Sequence, residues 1–228
     1  RDRYCTGISD KTHALFAGGS PSDQTSTPPK TDFWKLTYST YTAEKIPAQL
    51  PIGRTMGVGV AGEEKGYISQ GYHAGGTPGG GPAGLSDTCK ITFSTDTVTS
   101  LPSANLDAQN WQMQSLTDGA GGGYLFGGTW VPGQANTGSR CYKITYSTDS
   151  IALTPGLHVS GSSSSGSRVL STMAFGKGDV GYVFGGKSPN RTTVNKITFS
   201  TDTRSSSPGI PFKPLGPFNP FTLPKSIY

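Results

Sequence analysis

The chain has 228 residues, only 14% of them charged, with a formal net charge of +5. That balance comes from scarce acids and not from a basic run, which argues against a nucleic-acid partner and leaves acidic polymers or a negatively charged mineral as electrostatic partners. No apolar run reaches the roughly 18 residues of a membrane-spanning helix.

The 33 Gly and 17 Pro stay below the share of roughly 25–30% that marks unpatterned disorder, and the glycines recur at fixed places. Taken in chain order, residues 4–9 read as a first strand. Ala14-Leu15-Phe16-Ala17-Gly18-Gly19 reads as a second strand, stopped by paired glycines. Lys35-Leu36-Thr37-Tyr38-Ser39-Thr40 follows as a third. The same plan returns with Gly66-Tyr67-Ile68-Ser69-Gln70-Gly71, a looser copy of the second strand, and Lys90-Ile91-Thr92-Phe93-Ser94-Thr95.

The third copy is the clearest. Trp111–Leu116, Gly123–Gly128, Cys141–Tyr146 and Ile151–Leu153 form four short apolar runs separated by turn residues, the signature of an all-β chain. The fourth copy carries Gly181-Tyr182-Val183-Phe184-Gly185-Gly186 and Lys196-Ile197-Thr198-Phe199-Ser200-Thr201. The lysines that open the third strands lie 55, 53 and 53 residues apart. A period of that length means one supersecondary unit, copied because a single copy cannot bury its apolar face. Second strands that are apolar on both faces call for cover on both sides. The Ser-Thr-Asp-Thr step suits a tight turn in which Ser and Asp side chains bond the local backbone.

Tandem four-stranded units point to a radial β-propeller. The order of apolar strand, Gly-Gly, variable loop, aromatic-bearing strand and turn resembles the kelch repeat over residues 1 to about 207. What the resemblance implies is an all-β, kelch-like β-propeller with about four strands per blade. Four units are countable, so a four-bladed propeller is expected, with blades near 1–52, 53–105, 106–158 and 159–208 and a Pro-rich C-terminal tail over 209–228. Because residues 4–9 complete the first unit, closure as a ring of four is favoured over association into a larger ring or membership of a longer protein.

In that tail Pro211, Pro214, Pro217 and Pro220 recur every three residues, as do Phe212, Leu215, Phe218 and Phe221. Polyproline II has three residues per turn, so prolines and large apolar groups line separate edges. Leaving such side chains in water costs about 1.5–3 kcal/mol each. The stripe is therefore expected to dock, either as a strap on its own blades or on a neighbouring molecule during assembly.

Residues able to carry chemistry are scattered. His13, His73 and His158 lie at no ligand spacing, and Cys5, Cys89 and Cys141 belong to no metal-binding pattern. Three cysteines allow at most one internal disulfide, with three possible pairings. The Gly/Pro-rich stretch from His73 to Gly84 lacks the ending of a phosphate loop, and Ser160–Ser167 reads as a solvated loop. Asn190-Arg191-Thr192 is a glycosylation sequon. The sialidase and galactose-oxidase propellers are the enzymatic alternatives. No arginine triad emerges among Arg54, Arg140, Arg168, Arg191 and Arg204, and the histidines do not assemble a copper set.

The expectation is therefore a protein without catalytic residues, cofactor or metal. It is a secreted or surface-borne structural propeller whose partners are copies of itself or an extracellular or particle matrix. A chain opening on Arg1-Asp2-Arg3 without Met reads as a processed protein or a fragment. The alternatives are a glycan- or protein-binding module and a virion or tail-appendage protein. Trp130, in a long loop after Gly127-Gly128, is the expected sugar-stacking residue, while Trp34 and Trp111 are expected to pack between blades.

Overall fold

The structure, a computed structural model, describes residues 4–21, 28–73, 83–107, 109–119, 121–128, 140–157, 172–185 and 194–207. The described strands form four antiparallel sheets, each of four strands in simple meander order. The first sheet holds β1 (Thr6–Ser9), β2 (His13–Ala17), β3 (Asp32–Thr37) and β4 (Thr42–Gln49). The second holds β5 (Val58–Ala61), β6 (Lys65–His73), β7 (Ala83–Thr92) and β8 (Thr97–Ser100). The third is β9 (Gln114–Thr117), β10 (Gly122–Phe126), β11 (Cys141–Thr145) and β12 (Ser150–Leu153). The fourth is β13 (Thr172–Lys177), β14 (Val180–Gly185), β15 (Val194–Thr198) and β16 (Thr203–Ser207). The chain divides into two compact units, Arg1–Trp111 and Gln112–Tyr228, each built around two sheets.

The repeated sequence Lys-Leu/Ile-Thr-aromatic-Ser-Thr builds the hairpin between the third and fourth strands of every sheet. Its loop is framed by the pairs Thr37↔Thr42, Thr92↔Thr97, Thr145↔Ser150 and Thr198↔Thr203. The last loop residue lies in the left-handed region in each copy: Tyr41 (φ 54), Asp96 (φ 51), Asp149 (φ 53) and Asp202 (φ 48). Asp tolerates that conformation better than most residues, because its short side chain can bond locally. A hydroxyl pair clasps the left-handed residue from either side, Thr40–Thr42, Thr95–Thr97 and Thr148–Ser150 at 2.7 Å and Thr201–Thr203 at 2.8 Å. The hydroxyls close the turn by bonding one another. Asp96 and Asp202, expected from the sequence to bond their own turns, turn their carboxylates to lysines of the preceding sheet.

Tyr41 is the exception. It holds a left-handed conformation while 86% exposed. Replacing Tyr41 by Asn or Gly is expected to stabilise the protein by about 0.5–1 kcal/mol. For a chain of this size that is a rise in midpoint of roughly 1–4 °C, readable in a thermal melt.

Within each unit one sheet lays a face on the next. In the first unit Ile8, Leu15, Ala17, Phe33 and Ile46 pack on Ile68, Cys89, Ile91 and Phe93. In the second, Leu116, Tyr124, Phe126 and Cys141 pack on Val183, Ile197 and Phe199. The two joints share one design, in which an aliphatic side chain from the first strand enters a seat made by a glycine and the aromatic that follows the third strand. A Cβ at Gly66 would lie 2.6 Å from Ile8 Cδ1 and 3.1 Å from Phe93 Cζ. A Cβ at Gly181 would lie 2.6 Å from Leu116 Cδ1 and 2.7 Å from Phe199 Cζ. Close approach of the sheets therefore requires glycine at both places.

Each joint also has an ion pair. Lys35 Nζ reaches Asp96 Oδ2 at 2.8 Å, and Lys143 Nζ reaches Asp202 Oδ2 at 2.6 Å. The repeated lysine of one sheet thus holds the turn aspartate of the next. Tyr124 joins the second staple, donating its phenol to Asp202 Oδ1 at 2.6 Å beneath the Lys143 ammonium, which lies 5.3 Å from the ring centre.

Burial raises the titration of several groups in these joints. It pushes the Cys89 thiol up to about 11 and moves Cys141, Tyr124 and Tyr146 upward as well, with Asp202 adding to the effect on Tyr124. The unfolded chain loses these protons near pH 9–10, before the folded chain does. Stability is thus complete below pH 9 and falls as pH rises toward 11, by about 1.4 kcal/mol per pH unit for each titrating group. Urea midpoints should hold level from pH 8 to about 9 and decline from there to 10.5, and Cys89→Ala should flatten that decline.

Candidate functional site

The densest polar arrangement described lies in the first unit, where the ends of two second strands meet the segment after β4. The Gly-Gly doublet that closes β2 is Gly18 (φ 71) and Gly19 (φ 94), and the doublet after β10 is Gly127 (φ 69) and Gly128 (φ 111). Two successive left-handed residues explain why glycine is written twice. In β6 the doublet reads Gln70 (φ 54) and Gly71 (φ 122), and the register of β6 against β7 slips between Ser69 and Gly71. Gln70 therefore occupies a bulge, in a conformation that costs a residue with a Cβ about 1–2 kcal/mol. Beyond it the hairpin continues through Tyr72 and His73 to Gly84 and Ala83.

Arg54 binds these features together. Its side chain is fully buried. Nη1 donates to Gln70 O at 3.0 Å, Nη2 to Asp87 Oδ2 at 2.5 Å and Nε to Ile52 O at 3.4 Å. Its backbone works as well, since Arg54 O accepts Gly19 N at 2.8 Å and Arg54 N donates to Lys30 O at 3.3 Å. A buried guanidinium needs both a counter-charge and bonds to its remaining protons, and the bulge carbonyl and Asp87 provide them. The second Asp87 oxygen, Oδ1, is buried and accepts no hydrogen bond among the described residues.

Around this centre, Ser69 and Thr88 pair their hydroxyls at 2.9 Å, and Asn105 Oδ1 caps Thr88 N at 3.2 Å. His73 Nδ1 donates to Gly53 O at 2.7 Å. Trp111 sets its ring edge-on to Tyr72 at 5.5 Å, and a Cβ at Gly84 would touch it at 3.0 Å. Chemically the cluster is a fastening. Its cation is held by two backbone carbonyls and a carboxylate, and the described imidazoles are held locally, His13 Nδ1 lying 2.7 Å from Thr12 Oγ1.

The residues expected from the sequence to bind or assemble, Trp130, Phe212, Leu215, Phe218 and Phe221, lie outside the described residues. So do His158, Ser160–Ser167, the sequon and Gly186. Trp34, expected to pack between blades, is 45% exposed on the first sheet. Trp111 does pack, against Tyr72. Among the described residues no group of three or more His, Cys, Asp or Glu side chains converges on one point, and no helix is long and apolar enough to cross a membrane. Cys89 and Cys141 are buried thiols, and Cys5, partly buried, places its Sγ 3.6 Å from Gly18 O.

Four four-stranded meanders, repeated at near-constant period, define the protein as a four-bladed β-propeller in fold class. The solved structure of YjhT, a kelch-like β-propeller, matches with a TM-score of 0.68 at 14% sequence identity, over 92% of this chain and 66% of that one. The chain thus spans about two thirds of the YjhT chain, and at this identity the likeness speaks for fold alone. No family model and no curated protein sequence matches the chain.

Proposed function

We propose that this chain is a non-catalytic structural propeller, secreted or surface-borne, that associates with copies of itself or with a matrix. One observation carries the reading: among the described residues, several side chains capable of acid–base or nucleophilic work are occupied in holding blades and turns. Asp96 and Asp202 hold lysines of neighbouring blades. Asp118 Oδ1 caps Gly121 N and Gly122 N at 2.9 Å, and Asp179 caps Ser200 N at 2.7 Å. Arg54 and Asp87 neutralise each other, and buried Cys89 stays a thiol at neutral pH. A protein so built acts through its surface.

Sedimentation velocity across the micromolar range, on the full chain and on a chain lacking 209–228, tests the assembly. A species larger than the monomer that grows with concentration is expected. A strict monomer in both would remove self-association and leave matrix binding. A second reading, a glycan-binding module, is favoured by the exposure of Trp34 and Tyr41, since flat aromatic rings can stack on sugars. A glycan array silent for the wild type would discard it.

A further inference from the structure

The chain contains one Asp-Gly step, Asp118-Gly119, and no Asn-Gly step. A glycine after an aspartate presents an amide nitrogen with no Cβ beside it. That nitrogen can close on the carboxyl carbon of the aspartate and form a five-membered succinimide. The step lies in the hairpin that joins β9 to β10, where Gly119 takes φ 69. Its surroundings serve both partners of the ring closure.

The electrophile is the Asp118 carboxyl, whose Oδ1 accepts Gly121 N and Gly122 N, each at 2.9 Å. Two backbone donors fixed on one carboxyl oxygen are placed to stabilise the charge that grows there when the carbon is attacked. The nucleophile is Gly119 N, whose N–H donates to Thr117 Oγ1 at 3.2 Å. That hydroxyl is itself held: it donates to Gly122 O at 3.3 Å and accepts the Tyr146 phenol at 3.2 Å. The proton that must leave the nitrogen therefore already points at a fixed acceptor. Two other hairpin aspartates are controls within the same chain. Asp10 Oδ1 accepts Thr12 N and His13 N at 2.6 Å but precedes Lys11, and Asp179 caps Ser200 N but precedes the β-branched Val180.

We propose that Asp118 is a site of spontaneous isomerisation to isoaspartate, promoted by its own turn. Gly119 N bonds to Asp118 Cγ, and the amide proton leaves with the carboxyl hydroxyl as one water. One water then adds back to the imide. Breaking the bond from Gly119 N to Cγ restores aspartate. Breaking the bond from Gly119 N to the main-chain carbonyl carbon of Asp118 leaves the main chain running through Cγ, which is isoaspartate. Atoms balance, and nothing is oxidised or reduced. The product has one more main-chain methylene, and its carboxylate no longer caps Gly121 N and Gly122 N. β9 also carries Leu116, the side chain seated against Gly181 and Phe199, so the change loosens the joint of the second unit. The modification is independent of self-association.

The full chain is kept for weeks in warm neutral buffer, and isoaspartyl carboxylates are then labelled by enzymatic methylation and located by peptide mapping. Label at residue 118 should exceed that at Asp10 and Asp179 by on the order of ten-fold. Thr117→Val, which removes the proton acceptor and keeps the shape, should slow accumulation several-fold. Gly119→Asn, which tolerates the left-handed turn, should slow it as well. Asp118→Asn should speed it, losing ammonia in place of water to reach the same imide. The whole chain held in urea loses the turn and should isomerise more slowly at 118 than the folded protein does. The isomerised protein should melt roughly 3 °C or more below the fresh one, having lost two bonds to a charged group. Residue 118 labelled no more than Asp10 overturns the site. Isomerisation as fast in urea as in the folded chain, or unchanged by Thr117→Val, overturns promotion by the turn.

Discussion

Arg54→Leu is expected to destabilise the protein by about 3–5 kcal/mol, the range for breaking a buried ion pair by removing one partner. The substitution leaves Asp87 facing a nonpolar side chain. It also strips donors from Gln70 O and Ile52 O, two carbonyls at the bulge and the preceding loop. Arg54→Lys should recover little, because one ammonium cannot reach in the three directions that Nη1, Nη2 and Nε serve. The double variant Arg54→Met with Asp87→Leu should lose less than Arg54→Leu alone, because it removes both charges together. Urea midpoints measure all three. If Arg54→Leu costs under 1 kcal/mol, the guanidinium is not the fastening described.

The blades were legible because their signal is periodic. Lys35, Lys90, Lys143 and Lys196 mark the third strands, and the Thr and Ser hydroxyls that flank each turn are written into the repeat. The glycine doublets mark strand ends for a backbone reason, two successive positive φ angles, that any sequence must respect. What the repeat concealed was partnership. Lys35 to Asp96 spans 61 residues and Lys143 to Asp202 spans 59, so the staples depend on how one blade lies on the next, and local turn chemistry suggested a different role for the aspartates. Arg54 escaped notice for a related reason. It lies between repeats, follows no period, and looks like an ordinary loop cation until the fold surrounds it. The one available hint was Gln70, the place where the second blade departs from Gly-Gly.

That departure sets up the second large effect. Gly18→Ala is expected to cost about 2–4 kcal/mol, since two penalties act on one methyl group. At φ 71 an alanine carries the left-handed cost of about 1–2 kcal/mol. Its Cβ would also sit 2.3 Å from Arg54 O, a backbone atom that cannot rotate away and that already accepts Gly19 N. Relief requires moving the Arg54 segment, which in turn disturbs the guanidinium and its bonds to the bulge. The converse change is Gln70→Gly, which restores the repeat consensus and removes backbone strain but deletes a fully buried side chain and the packing it supplies. Those terms oppose each other, so its net effect should fall within about 1 kcal/mol of zero. Gly18→Ala and Arg54→Leu share a segment, so their double variant should lose less than the sum of the two single losses. Strict additivity between them would mean that the first-blade doublet and the buried arginine are not mechanically coupled.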